Sequence, residues 1–190
     1  MEPVYLTIPA DLFDVAQSAS FQGECSLDVL KSGPDLYTFP EPLTWEVTLS
    51  NTGEALLVMG TVEGRAQTSC ARCLETFELS IFGEVETLFL FDADCALAAE
   101  LDEDEYEILP EGNRIDVAPH LLAGILLDVP LIPLCKDDCA GLCLECGANL
   151  NEETCSCNAA VPIEQDKDEE TQGELPKQQN AFAALRDYEF

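Results

Sequence analysis

Leu43-Thr44-Trp45-Glu46-Val47-Thr48-Leu49, followed by the turn residues Asn51-Thr52-Gly53-Glu54 and the apolar run Ala55 to Val62, is the stretch on which the fold turns. From Leu43 to Leu49 apolar and polar side chains alternate, which is the period of a strand with one face buried. Asn, Thr and Gly at 51–53 supply the left-handed and side-chain-bonded conformations of a tight turn, so the two runs predict an antiparallel hairpin. Upstream, Val4 to Ile8 and Gly23 to Leu30 read as shorter strands, the second broken by Gly33-Pro34-Asp35. Downstream, Phe77 to Phe91 is rich in β-branched and aromatic residues and predicts one or two long strands around Gly83. One helix is expected, at about 116–128. Asp116 is placed to cap it, Pro119 sits in its first turn, Val117, Leu121, Leu122, Ile125 and Leu126 form its apolar stripe, and Pro130 ends it.

These elements predict an α+β fold, mainly an antiparallel β-sheet or partial barrel with one core helix and a C-terminal cysteine-rich zinc-binding segment. The expected organisation is a β-rich core over 1–133, a cysteine-rich segment over 134–160, an acidic flexible linker over 161–178 and a short docking segment over 179–190. Residues 92–107 carry eight acids and read as a solvated loop. The 190 residues, 47% of them hydrophobic, suffice for one real core. The longest apolar run, Leu121 to Leu127, is too short to span a bilayer, so no membrane partner is expected. The opening Met-Glu-Pro-Val-Tyr-Leu-Thr lacks the basic start and apolar centre of a secretory signal, which predicts a cytoplasmic, reducing location.

In a reducing compartment, paired cysteines read as metal ligands before disulfides. Six of the ten cysteines fall between Cys135 and Cys157. Cys143-x-x-Cys146-Gly147 has zinc-knuckle form: the spacing brings two thiolates to one metal, and Gly147 permits the turn that aims backbone amides at the sulfurs. Cys155-x-Cys157 completes a four-thiolate set across the 148–154 loop. A second set is arithmetically available from Cys70-Ala-Arg-Cys73 with Cys135 and Cys139. The alternatives are that these four stay thiols, or that Cys139 replaces a ligand of the first set. Cys139-x-x-x-Cys143-x-x-Cys146 also has the spacing of radical enzymes with a four-iron cluster, but the large barrel they need does not follow it. A redox role for Cys70 and Cys73 wants a helix after the first cysteine, where Thr76-Phe77-Glu78-Leu79 reads as strand. Cys25 reads as a core thiol and Cys95 as a loop thiol.

A zinc held by four thiolates is closed and structural. The lone histidine, His120, sits on the predicted helix and reads as a packed residue rather than a base. There is no nucleophile elbow, phosphate loop or dinucleotide fingerprint, so an enzyme is not expected, nor a small-molecule substrate. The balance of 38 acids against 8 bases, net −30, repels phosphate backbones and points to a basic protein as direct partner. Arg72 and Lys136, inside the cysteine motifs, are the candidate contacts to phosphate.

Ser69-Cys70-Ala71-Arg72-Cys73-Leu74-Glu75, the helix with Ile125-Leu126-Leu127, Val129-Pro130-Leu131-Ile132-Pro133-Leu134-Cys135, Cys139-x-Gly141-Leu142-Cys143-x-x-Cys146-Gly147-x-x-Leu150-Asn151 and Asn180-Ala181-Phe182-Ala183-Ala184-Leu185 follow in that order. Together they resemble the YceD-like family of large ribosomal RNA subunit accumulation proteins, from about Leu43 to the C-terminus. The resemblance implies a ribosome biogenesis factor supporting accumulation or processing of large-subunit (23S) ribosomal RNA. It would act by binding that RNA, a ribosomal protein or an assembly intermediate, and the cysteines would be structural. The alternative is a thiol- or metal-dependent enzyme acting on RNA or on a redox partner.

Overall fold

A computed structural model describes residues 1–102 and 104–157. The linker expected at 161–178 and the docking segment expected at 179–190 lie outside the described residues. Met1–Cys155 forms one compact unit. Beyond it, only Ser156 and Cys157 are described.

In chain order the elements are β1 (Tyr5–Thr7), β2 (Ser18–Cys25), β3 (Val29–Ser32), β4 (Asp35–Thr38), β5 (Leu43–Asn51), β6 (Ala55–Ser69), β7 (Thr76–Leu90), β8 (Glu107–Ile108), β9 (Arg114–Asp116) and α1 (Ala118–Asp128). β2, β5, β6, β4 and β3 are neighbours in that order in one sheet, with β7 on β6 and β8 beside the end of β7. All pairings are antiparallel except β7 with β8. β1 and β9 make a separate two-stranded ribbon. This is the α+β, mainly antiparallel architecture that the patterning predicts.

The β5–β6 hairpin follows from its alternation. Leu43, Trp45, Val47 and Leu49 bury their side chains, and Trp45 pairs with Val62 and Leu49 with Val58. The Gly53 amide donates to Asn51 Oδ1 at 2.7 Å, closing the turn. The Asn51 side-chain amide donates to the Leu12 carbonyl at 2.9 Å, so this buried polar residue is satisfied.

β6 and β7 pair over their whole length, from Ala55 with Leu90 to Ser69 with Thr76. The expected Phe77–Phe91 strand is thus a single strand, and Gly83 does not break it. Gly83 instead admits the helix: a Cβ there would meet the Gly124 carbonyl carbon at 2.5 Å, and one on Gly124 would meet the Glu84 carbonyl oxygen at 2.5 Å. This contact narrows the helix's buried stripe to Val117, Ala118, Leu121, Gly124 and Ile125. Leu126, expected on that stripe, is 42% exposed. The N-cap position falls to Val117, which makes no side-chain bond, rather than to the expected Asp116. Asp116 Oδ1, one residue earlier, accepts from the Ala118 amide at 3.0 Å and from the Val4 amide at 2.9 Å and so ties the start of the helix to the N-terminal segment. At the far end Asp128 Oδ2 accepts from the Phe82 amide at 2.8 Å.

The other departures are local. The expected Gly23–Leu30 strand is split into β2 and β3 because the chain turns at 26–28, where the Asp28 carbonyl accepts from the Phe39 amide at 3.0 Å. Part of the acidic loop is recruited to the sheet as β8. No helix among the described residues is long and apolar enough to cross a membrane.

Candidate metal centres

The β6–β7 hairpin delivers the first cysteine pair. Ser69 and Thr76 close the ladder, so Cys70–Glu75 is the connection at its tip. There the Cys70 amide donates to the Glu75 carbonyl and the Leu74 amide to the Cys70 carbonyl, both at 2.9 Å. Leu74 takes a left-handed φ of 62°. The same turn recurs later in the chain: the Gly147 amide donates to the Cys143 carbonyl at 2.9 Å, with φ of 73° at Gly147. Cys70-x-x-Cys73 and Cys143-x-x-Cys146 are therefore two copies of one knuckle.

After α1, residues 129–134 carry the chain to the first knuckle, where the Ala71 amide donates to the Pro133 carbonyl at 2.8 Å. Cys135 and Cys139 arrive beside Cys70 and Cys73, and the four sulfurs lie within 4.8 Å of one another. Cys70 Sγ is 3.7 Å from Cys139 Sγ, and Cys73 Sγ is 3.7 Å from Cys135 Sγ. A disulfide needs about 2.05 Å. Sulfurs set tetrahedrally at about 2.3 Å from a zinc ion stand about 3.8 Å apart. The spacing fits a four-thiolate metal. Cys70, Cys73 and Cys139 are buried, and Phe77, Leu134 and Leu142 pack around them.

Cys143, Cys146, Cys155 and Cys157 form the second group, again with sulfurs within 4.8 Å of one another and more exposed than the first. The structure thus brings the eight cysteines together as four and four. Cys139 joins the first-knuckle group rather than replacing a ligand of the other. Cys25 is a buried core thiol whose pKa is pushed up by burial, and Cys95 is partly exposed in its loop.

The electrostatics suit thiolate chemistry. Burial pushes Cys70 up, but amides of Cys73, Cys135 and Arg72 outweigh it and bring the thiol down to about 6. Burial also opposes ionisation of Cys139, and donation from the Asn151 side chain and the Gly141 amide lowers it nonetheless. Cys135 is pushed up to about 12, by burial first and then by the neighbouring sulfurs. Cys73 is raised despite the Glu75 amide, through burial and the crowding of Cys70 and Cys139. In the second group, amides of Cys146 and Glu145 lower Cys143 to about 7. Without a cation some of these sulfurs must hold protons, and a divalent soft metal would release them. An all-thiolate set suits zinc and leaves no open coordination position.

Arg72 Nη1 donates to the Cys139 carbonyl at 3.0 Å, bracing the first group, and Lys136 Nζ lies 4.0 Å from Asp138. His120 is packed edge-on against Phe89, with centroids 5.5 Å apart, and its Nε2 lies 3.5 Å from Glu107 without hydrogen-bond alignment. Asn151 closes the family motif but receives no role from it: its side-chain amide donates to Cys139 Sγ at 3.3 Å. Its only sequence signal is its place after Leu150 in the loop between Cys146 and Cys155.

Residues 58–187, more than half of the chain and including all eight clustered cysteines, match the family model described as large ribosomal RNA subunit accumulation protein YceD. The chain belongs to the YceD family. It is 31% identical over 111 residues to an uncharacterised protein of Mycobacterium tuberculosis (strain H37Rv), covering 58% of this chain and 53% of the relative. Against the Arabidopsis thaliana protein named large ribosomal RNA subunit accumulation protein YCED homolog 1, chloroplastic, identity is 34% over 84 residues, 44% of this chain and 25% of that one. The Zea mays protein of the same name is 28% identical over 142 residues, 61% of this chain and 48% of that one. The chain thus spans about half or less of the length of these YceD relatives. No solved structure matches it.

Proposed function

We propose that this YceD-family protein is a non-enzymatic, cytoplasmic ribosome biogenesis factor that supports accumulation or processing of large-subunit (23S) ribosomal RNA. It acts by holding a basic ribosomal protein or a partly assembled particle, and its two thiolate groups hold structural zinc. The family name supports the process. The charge supports the mode. The chain carries −30, and the outer face of the sheet presents Glu24, Glu46, Glu63, Glu84 and Glu86 on adjacent strands. Arg65, on that same face, is already paired with Glu78 at 3.1 Å. Such a surface attracts lysine- and arginine-rich segments and repels a phosphate backbone.

Filter binding at near-physiological salt tests this. Weak binding to protein-free 23S RNA and tighter, salt-sensitive binding to basic large-subunit proteins is the expected result. Submicromolar affinity for naked RNA that basic ribosomal proteins do not compete away would overturn it. Each phosphate contact adds a slope of about −0.7 to −0.9 to log affinity against log salt, so the slope reports how many form. Elemental analysis of protein purified without chelator is expected to find about one to two equivalents of zinc. The alternative, a thiol- or metal-dependent enzyme, predicts a Cys143→Ser protein that stays folded but loses a chemical activity.

A further inference from the structure

The two thiolate groups share a wall. Cys139 of the first and Cys143 of the second lie on one short segment, and three sets of bonds stitch that segment to its surroundings. Arg72 holds it to the first knuckle from both sides: its guanidinium donates to the Cys139 carbonyl at 3.0 Å, and its carbonyl accepts from the Leu142 amide at 3.1 Å. The 147–154 loop, which links Cys146 to Cys155, holds it through backbone bonds: the Leu150 amide donates to the Gly141 carbonyl at 2.9 Å, and the Cys143 amide to the Ala148 carbonyl at 2.8 Å. Leu142 and Asn149 also form a β-bridge.

Asn151 supplies the third set. Its Oδ1 accepts from the Ala140 amide at 2.9 Å. Its Nδ2 donates to Cys139 Sγ at 3.3 Å and to Asn149 Oδ1 at 2.9 Å. A residue of the loop that closes the second group thus ends on a sulfur of the first.

We propose that the two sites load as a coupled pair, with Asn151 as the positioning residue between them. This rests on the metal-binding reading above. A metal at the buried Cys70, Cys73, Cys135 and Cys139 set holds the Cys139 sulfur in place as a charged acceptor. Asn151 then clamps to a fixed point, and the 147–154 loop is drawn into the shape that brings Cys146 and Cys155 to the second metal. Hydrogen bonds to ligand atoms set ligand orientation and metal affinity in this way. Filling one site lowers the ordering cost of the other, which is positive coupling. The buried set, built on the sheet, fills first.

The test is a titration of the metal-free full chain with Co²⁺ under reducing conditions, against a competing chelator, read from the sulfur-to-cobalt charge-transfer bands. In Cys73→Ser/Cys135→Ser protein, affinity at the remaining site should fall about tenfold, within the usual range of coupling between sites. Linkage requires the same factor at the first site in Cys143→Ser/Cys146→Ser protein. That second variant alters only the more exposed group, so it carries the test if the first fails to fold. Asn151→Asp keeps the acceptor for Ala140 but replaces the N–H facing sulfur with an oxygen. It should separate the two binding steps and shift the charge-transfer band of the first site, with every cysteine present. Affinities unchanged within twofold in both double variants would overturn the coupling and leave the metal reading standing. A protein that binds cobalt at neither site would overturn both.

Discussion

Leu74 carries a backbone cost that Gly147, its counterpart in the second knuckle, does not. Both sit in the left-handed region, where a side chain costs about 1–2 kcal/mol and glycine almost nothing. Leu74 is 66% exposed, so little packing repays it. Replacing it with glycine loosens the unfolded chain by about 0.4–1 kcal/mol, which offsets part of the gain. Leu74→Gly should therefore stabilise the metal-loaded protein by about 0.5 kcal/mol, seen as a higher urea midpoint, and a lower midpoint would show that Leu74 makes contacts the turn depends on. The thiols also set a pH dependence. Cys135, at about 12, and Cys73, also raised, hold protons near neutrality, whereas Cys70, at about 6, has lost its own. Metal binding at that site releases the protons held by Cys135 and Cys73, so affinity rises with pH, by at least about two log units per pH unit between pH 7 and 8. Competition titrations across that interval should show the rise, and a flat profile would mean that the metal does not displace those protons.

At the scale of elements, the helix–sheet contact and the knuckle hairpin make separate predictions. Alanine in place of Gly124 gains up to about 1 kcal/mol of helix propensity. Its Cβ, however, would stand 2.5 Å from the Glu84 carbonyl oxygen, against rigid backbone that cannot swing aside. Overpacking of this kind costs about 1–3 kcal/mol or more, so the clash wins and Gly124→Ala should lower the melting temperature by several degrees. An unchanged melting temperature would mean that the helix can ride further from β7. For the knuckle hairpin, chelation should expose amides in 135–155 and also in 70–77. Phe77 at the start of β7 packs on the buried cysteines, and both knuckle ligands sit in the connection between β6 and β7. The middle of the β5–β6–β7 sheet buries Val47, Val58, Val62 and Val85 away from the cysteines and should keep its protection. Hydrogen exchange before and after chelation reads this directly, and uniform loss along the chain would place the metal at the centre of the whole core.

For the whole molecule, charge decides what can approach. Arg65, Arg72 and Arg114 are the cations whose gathering would build a basic patch. Arg65 pairs with Glu78, Arg72 braces Cys139, and the Arg114 guanidinium lies 3.8 Å above the Tyr5 ring. Each serves a local contact on a different element, and the acidic field around them stands. Complexes with basic ribosomal proteins should therefore weaken by about tenfold or more between 50 and 300 mM salt, mostly through slower association. Stopped-flow rates over that range check it, and a salt-independent association rate would point to an apolar interface instead.

Much of this was legible along the chain, because the relevant physics is local. Alternation at Leu43–Leu49, turn chemistry at Asn51–Gly53, the proline-bounded helix and the cysteine pairs each depend on neighbours a few residues away. They determined the central strands β5, β6 and β7, the hairpin, the helix and the Cys143, Cys146, Cys155 and Cys157 grouping. What the chain alone left open depends on contacts across long separations. Cys139 lies 69 residues beyond Cys70, and whether it serves the first or the second group rests on how far the 129–134 segment reaches after the helix. Gly83 read as a possible break because its reason, the backbone of Gly124, lies on another element. Leu126 was assigned to the buried stripe because the helix's rotation is set by that same close approach. Asn151 stood at the end of the family motif with no role attached to it, since a single amide becomes meaningful only when folding brings a sulfur to it.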